Sequence, residues 1–96
     1  MSCNLERRVV DDIVRLAQRN GVHRVILFGS RARGDNTSRS DIDLAVSGGN
    51  ARDFHWDLEE EAWTLLMFDV VPLDEEISPG LRTEIDRDGI LLYEKT

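Results

Sequence analysis

The residues best suited to chemistry in this sequence are two closely spaced aspartates, Asp41 and Asp43. In an extended strand over 40–46, residues alternate between faces, so Asp41 and Asp43 lie on the same face together with Ala45. Ile42, Leu44 and Val46 lie on the other face, which should be the core. Two such carboxylates repel each other unless solvent or a divalent cation lies between them. Because carboxylate oxygens are hard ligands, Mg²⁺ or Mn²⁺ is the expected metal.

A second candidate feature is the turn that precedes these aspartates. Gly29 and Ser30 follow the apolar run 25–28, which is typical of a buried strand. A glycine lets a phosphate approach the backbone closely, while Ser30 is a good N-cap and a hydroxyl donor. The start of the short helix expected there would attract phosphate, and Arg31 and Arg33 add positive charge. We therefore predict a phosphate-binding turn beside the metal site.

A third carboxylate is expected if the site transfers phosphoryl groups with two metal ions. The best candidate is Asp69, which interrupts the apolar run 67–73. An acidic residue is rarely buried in such a run without a partner. Metal ions shared with Asp41 and Asp43 would explain its position, and Asp69 is also a candidate general base.

The combination of Gly29-Ser30, Asp41-x-Asp43 and Asp69 resembles the DNA polymerase β-like nucleotidyltransferase superfamily, in particular its minimal nucleotidyltransferases. Either short motif alone would be a weak indication, whereas both at this spacing, with the third aspartate, are specific. The resemblance covers most of the chain. It implies an α/β (α+β) fold, with a mixed sheet flanked by helices.

The resemblance also implies an activity and a partner. The three aspartates would hold two Mg²⁺ ions, with Mn²⁺ as a substitute, and the Gly29 turn would bind a nucleoside triphosphate, with ATP as the expected substrate. AMP would pass to a hydroxyl of a partner protein, the expected acceptor being a tyrosine of a HEPN-family toxin, so that the chain acts as an antitoxin in a hetero-oligomer.

Two alternatives stay open at this point. One is an interaction module that inhibits its partner by occlusion, against which the complete set of aspartates argues. The other is a small-molecule nucleotidyltransferase of the aminoglycoside type, which the lack of a recognisable acceptor domain disfavours. The nucleotide, the acceptor and the oligomeric state are not determined by the sequence.

Periodicity and turn residues predict the elements that must position these groups. In chain order they are a helix over 4–20 with Ser2 or Asn4 as its cap, a strand over 22–28, a short helix from Ser30, a polar loop over 34–40, a strand over 40–46, a turn over 47–50, a helix over 51–66, a strand over 67–73, a helix from Pro79 to about Asp88 and a strand over 90–94. Leu65 should face inward, and we favour core packing over a partner-binding patch for Trp56 and Trp63. Pro72 indicates an edge strand or the end of a strand.

Length and composition set further limits. The 96 residues are enough for one domain, over residues 1–96. No apolar stretch is long enough to span a membrane, and the single Cys3 cannot form an internal disulfide, so we expect a cytoplasmic protein. The net charge of −7 argues against extensive nucleic-acid binding. Every charged residue between 57 and 76 is acidic. By contrast, the Gly29 turn with its arginines is a locally basic region on an acidic protein.

Overall fold

Four strands form one mixed sheet in the computed structural model, which describes residues 5–95. The elements are α1 (Arg7–Arg19), β1 (Arg24–Phe28), α2 (Ser30–Arg33), β2 (Ile42–Ser47), α3 (Ala51–Glu61), β3 (Phe68–Pro72), α4 (Pro79–Asp88) and β4 (Ile90–Glu94). The strand order is β3-β2-β1-β4. β1 is antiparallel to both β2 and β4, whereas β2 and β3 are parallel. The predicted α+β fold with a mixed sheet flanked by helices is confirmed.

The two faces of the sheet are covered by different helices. The larger core lies against α1 and α3 and takes in alternate residues of β2, namely Ile42, Leu44 and Val46. The smaller core lies against α4 and consists of Phe28, Ala45 and Ile85. The alternation predicted for this strand is therefore confirmed. The face that carries Asp43 is not given over to chemistry alone, however, because Ala45 is buried on it.

The helix α3 is shorter than the sequence pattern predicts. It begins after Asn50, whose side chain accepts a hydrogen bond from the Asp53 amide, but it ends at Glu61. Its last turn contains only acidic charge, which is unfavourable at the negative end of a helix dipole. The prediction that Leu65 faces inward is therefore wrong, and this side chain is fully exposed.

The tryptophans near the end of α3 also differ from expectation. Trp56 is 68% exposed and Trp63 is 58% exposed, so the predicted core packing of both is wrong. Trp56 lies on the outer side of α3, because its neighbours Phe54 and Leu58 occupy the buried side. Trp63 lies beyond the end of the helix, where the guanidinium of Arg8 stacks on its ring at 4.2 Å.

The ends of α4 follow the predicted signals closely. Ser78 caps α4 by accepting a hydrogen bond from the Leu81 amide, Pro79 is the first helical residue and Gly89 follows the last. The strand β3 lies at the edge of the sheet, as Pro72 indicated. The first helix begins at Arg7 with Glu6 as its N-cap, so the start predicted at residue 4 is too early. The caps proposed for it, Ser2 and Asn4, lie outside the described residues, as does Cys3. Among the helices of residues 5–95, none has the length and apolar character needed to cross a membrane.

Candidate active site

Two of the predicted aspartates lie side by side on neighbouring strands. Asp43 of β2 and Asp69 of β3 are register partners in the parallel pair. Neighbouring strands are about 4.8 Å apart and paired residues project from the same face, so the two carboxylates share one face of the sheet. Asp43 is half-buried and Asp69 is exposed. Asp41 is also exposed and lies just before β2 begins at Ile42, so the predicted strand starts slightly too early.

The ionisation of Asp43 shows that these carboxylates influence one another. The pKa of Asp43 is raised from 3.8 to about 6, mainly by burial and in addition by the negative charges of Asp69, Asp41 and Glu84, while Arg33 opposes the shift. Three acidic groups from three different segments therefore act on one half-buried carboxyl. Such a shift is typical of functional sites, because structural carboxylates are usually paired with cations instead.

The turn after β1 brings the backbone against this carboxylate. Gly29 follows Phe28, which is the antiparallel partner of Asp43, and its φ is 77°, a region that side chains disfavour. A Cβ at Gly29 would overlap Oδ2 of Asp43. The glycine predicted on chemical grounds is therefore also required by the fold. It lets the turn and the Asp43 carboxylate occupy adjacent space.

The short helix α2 starts one residue earlier than its predicted cap implies. Gly29 occupies the N-cap position and Ser30 is the first helical residue, so the prediction of Ser30 as the N-cap is wrong. The carbonyl of Gly29 accepts the first intrahelical bonds, from the amides of Ala32 and Arg33. Ser30 lies at the N-terminal end of this helix, where the backbone amides have no partner within the helix and point outward.

Arg33 connects this turn to α4 through acidic residues. Its Nε lies 3.2 Å from Oδ2 of Asp35, and its Nη1 lies 3.4 Å from Oε2 of Glu84 and 3.9 Å from Oδ2 of Asp88. Glu84 is the residue near the site that sequence reasoning missed. Glu84 and Asp88 are four residues apart, which places both on one side of α4 and was the available sequence signal. That this side of α4 faces Arg33 is seen only in the folded chain.

Arg31 is placed differently from the other predicted nucleotide-binding residues. Its side chain is buried, with 7% exposed, and it donates to backbone carbonyls of the loop before Asp41. Gly29 therefore lies against Asp43 and Arg33 is close enough to act on its charge, whereas the guanidinium of Arg31 is held by the protein itself.

The donor set suits a hard divalent cation. Asp41, Asp43 and Asp69 offer only carboxylate oxygens, the ligand type that Mg²⁺ and Mn²⁺ favour, and their mutual repulsion is what a bound cation would relieve. Across the described residues, no three side chains of the His, Cys, Asp or Glu type converge closely enough to form a ready-made metal centre. The residues fit the ions in chemistry, and the number of ions stays a prediction.

Comparison with known proteins gives this arrangement a family. Residues 11–96 match the family described as polymerase beta, nucleotidyltransferase. The chain belongs to this family. The match extends from within α1 to the end of the chain and so includes every element that contributes to the site of this nucleotidyltransferase domain. Comparison with curated proteins gives no match.

Solved structures support the same assignment. A candidate minimal nucleotidyltransferase is 31% identical to this chain, with a TM-score of 0.65 over 84% of this chain and 86% of that one. A toxin-antitoxin structure with AMP-PNP is 25% identical, with a TM-score of 0.68 over 90% of this chain and 73% of the other. A mutant of the toxin-antitoxin MntA-HpeT is 25% identical, with a TM-score of 0.70 over 88% and 72%. The resemblance to polymerase β-like nucleotidyltransferases is confirmed.

Proposed function

We propose that this nucleotidyltransferase moves AMP from ATP to a hydroxyl of a partner protein, a tyrosine of a HEPN-type toxin, and thereby acts as an antitoxin. The observation that carries the proposal is the pairing of Asp43 with Asp69 directly beside the Gly29 turn. A phosphate-binding turn next to clustered carboxylates is the arrangement that metal-assisted phosphoryl transfer needs.

We assign each residue of the site a role in this reaction. Gly29 and Ser30 hold the triphosphate, with Arg33 adding charge, while Asp41, Asp43 and Asp69 hold the divalent ions. When bound, those ions neutralise charge on the phosphates and favour the ionised form of the acceptor hydroxyl. The acceptor oxygen forms a bond to the α-phosphorus as the bond to the β-phosphate oxygen breaks, and pyrophosphate leaves. The hydroxyl proton passes to the exposed carboxylate of Asp69.

A protein acceptor is supported by the surface near the end of α3. Four large apolar side chains within residues 56–67 are more than half exposed, namely Trp56, Trp63, Leu65 and Met67. Exposed large aromatic and aliphatic side chains are typical of protein-binding surfaces. The similar structures described as toxin-antitoxin support a toxin as that partner.

Inhibition by occlusion is the second candidate function, and the same exposed surface favours it. The two functions differ in stoichiometry, because occlusion needs one antitoxin for each toxin site, whereas a transferase acts in catalytic amounts. A small-molecule acceptor has no comparable support in the described residues. The cytoplasmic location stays a prediction.

The test is to incubate the protein with ATP, Mg²⁺ and the product of the adjacent gene, which we expect to be the toxin, with that product in excess, and to measure its intact mass. The wild-type protein should add AMP to most of the toxin. Asp41→Asn should lower the rate by about three orders of magnitude or more, because the variant loses metal-held charge worth several kcal/mol. Asp86→Asn, the same substitution on the exposed surface of α4, is the matched control and should retain full transfer.

Toxin that remains unmodified in mass would contradict the transferase, particularly if equimolar Asp41→Asn protein still suppressed toxin activity. That result would favour occlusion instead.

A further inference from the structure

The side chain of Arg31 is buried although the residue lies on a short surface helix. Only 7% of it is exposed, and arginine is rarely buried unless its donors are satisfied. Its Nε donates to the carbonyl of Ser40 at 3.0 Å, and its Nη2 lies 3.4 Å from the carbonyls of both Thr37 and Ser38. The planar guanidinium offers donors in several fixed directions at once, which suits a set of carbonyls on a curved backbone.

These carbonyls belong to a tight turn that has its own internal bonds. The amide of Thr37 donates to Oγ of Ser40 at 2.9 Å, and the amide of Ser40 donates to the carbonyl of Thr37 at 3.3 Å. The amide of Arg39 donates to Oγ1 of Thr37 at 3.2 Å. Arg31 therefore holds the carbonyl side of a turn that is already compact, and fixes that turn to α2.

The position of Asp41 depends on this turn. Asp41 lies between Ser40, whose carbonyl Arg31 holds, and Ile42, whose amide donates to the Met67 carbonyl at 2.9 Å. One hydrogen bond therefore anchors the backbone on each side of Asp41. This matters because Asp41 precedes β2 and does not have the ladder of bonds that positions Asp43.

We propose that Arg31 is a positioning residue, which clamps the turn 37–40 so that Asp41 is held as a metal ligand beside Asp43. This assignment rests on the proposed function, since it takes Asp41 to be a ligand. It replaces a role for Arg31 in contacting the nucleotide. Mutation of residues that orient metal ligands from outside typically lowers metal affinity about 10- to 100-fold.

Direct Mn²⁺ titration of the protein without nucleotide, followed by electron paramagnetic resonance, provides the test. Arg31→Gln should weaken Mn²⁺ binding about tenfold or more. The control is Arg39→Gln, which removes the same charge from an exposed residue of the same turn. Loss of a positive charge near a cation site should by itself tighten Mn²⁺ binding. Weaker Mn²⁺ binding in Arg31→Gln but not in Arg39→Gln is therefore expected if Arg31 positions Asp41, and is not expected from the loss of charge.

Arg31→Lys keeps the charge and the apolar stem, and it is the variant that decides the question if Arg31→Gln does not fold. A lysine has one terminal nitrogen and cannot reproduce the spread of Nε and Nη2, so Mn²⁺ binding should weaken about three- to tenfold. Mn²⁺ binding equal to wild type in both Arg31 variants, with ATP binding reduced, would overturn the positioning role and restore the nucleotide contact.

Amide hydrogen exchange of the metal-free protein separates this inference from the proposed function. Arg31→Gln should speed exchange of the Arg39 and Ser40 amides relative to Arg39→Gln, whether or not the protein binds metal. Equal exchange in these variants and the wild type would overturn the clamp. If the wild-type protein bound no Mn²⁺, the metal site of the proposed function would fail, and Arg31 would be left as a clamp without a ligand to position.

Discussion

The two faces of the sheet differ in how much apolar surface they bury and in what else they carry. The face against α1 and α3 holds the larger core, which draws buried residues from both helices and from β1, β2 and β3. The face against α4 holds three buried residues, Phe28, Ala45 and Ile85. Asp43 and Asp69 both project from this second face.

This difference teaches how so small a domain accommodates a charged site. Apolar burial is the main source of stability, and a charged carboxylate is costly within it. Placing the large core on one face leaves the other free to hold a half-buried aspartate whose pKa is raised. We therefore expect substitutions on the first face to affect mainly stability and those on the second to affect mainly the site.

The largest expected effect comes from a matched pair of core substitutions. Ile13 of α1 and Ile85 of α4 are both buried isoleucines in helices, at 0% and 3% exposure, but they belong to different cores. Ile13→Ala should lower the free energy of unfolding by about 4 kcal/mol and Ile85→Ala by about 2 kcal/mol, because the smaller core leaves less unrelaxed cavity. Urea denaturation measures both, and equal losses would remove the proposed difference between the faces.

The next effect concerns the backbone beside Asp43. Gly29 and Gly34 both have positive φ, 77° and 90°, but an added Cβ overlaps Asp43 only at Gly29 and meets nothing within 4 Å at Gly34. Gly29→Ala should cost about 2 kcal/mol and Gly34→Ala about 1 kcal/mol, the latter from backbone strain alone. Only Gly29→Ala should also abolish transfer. A Gly29→Ala protein with full activity would show that the close approach is not needed.

Much of the fold could be predicted because local signals and tertiary packing agree. The helix α4 has an N-cap serine, a proline at its first position and a glycine after its end, and it forms between those residues. The alternation in β2 likewise predicted its buried face correctly. The end of α3 could not be predicted in this way, since an apolar pattern continued beyond the point where acidic charge ends the helix.

The residues of the candidate site likewise fall into those that local sequence predicts and those that depend on tertiary packing. The aspartates could be named from the sequence because a carboxylate in an apolar strand is unusual, and the structure places Asp43 next to Asp69. The burial of Arg31 could not be foreseen, because it depends on how the loop 37–40 curves back over α2. The approach of Glu84 depends on how α4 packs, which no local pattern records.

A smaller effect should come from metal binding at the second face. Mg²⁺ at ten times its dissociation constant should raise the free energy of unfolding by about 1.4 kcal/mol through selective binding to the folded state. Asp43→Asn should lose this gain, whereas Asp86→Asn, on the exposed side of α4, should keep it. Thermal unfolding with and without EDTA measures the difference. A gain that survives in Asp43→Asn would place the ion elsewhere.

The smallest expected effect is a pH-dependent gain in stability on removing the Asp43 charge. The folded protein raises the pKa of Asp43 from 3.8 to about 6, so it binds this proton more tightly than the unfolded chain does. The wild-type free energy of unfolding should therefore fall through this group as the pH rises from about 4 to about 6, and should be level above that. In EDTA at pH 7.5, taken as roughly one unit or more above that pKa, Asp43→Asn should be more stable than wild type by about 1 kcal/mol, reduced from the full shift because the carboxyl is partly exposed.

The difference between Asp43→Asn and wild type should shrink as the pH falls through about 6 and vanish below about 4, where the wild-type carboxyl is protonated in both states. Asp86→Asn provides the baseline, since it makes the same chemical change on the exposed surface of α4. Urea denaturation across this pH range measures the profile. A stability difference that is independent of pH would mean that ionisation of Asp43 does not lower the free energy of unfolding. The face against α4 would then hold its carboxylates at no cost in stability, and the proposed difference between the two faces would not stand.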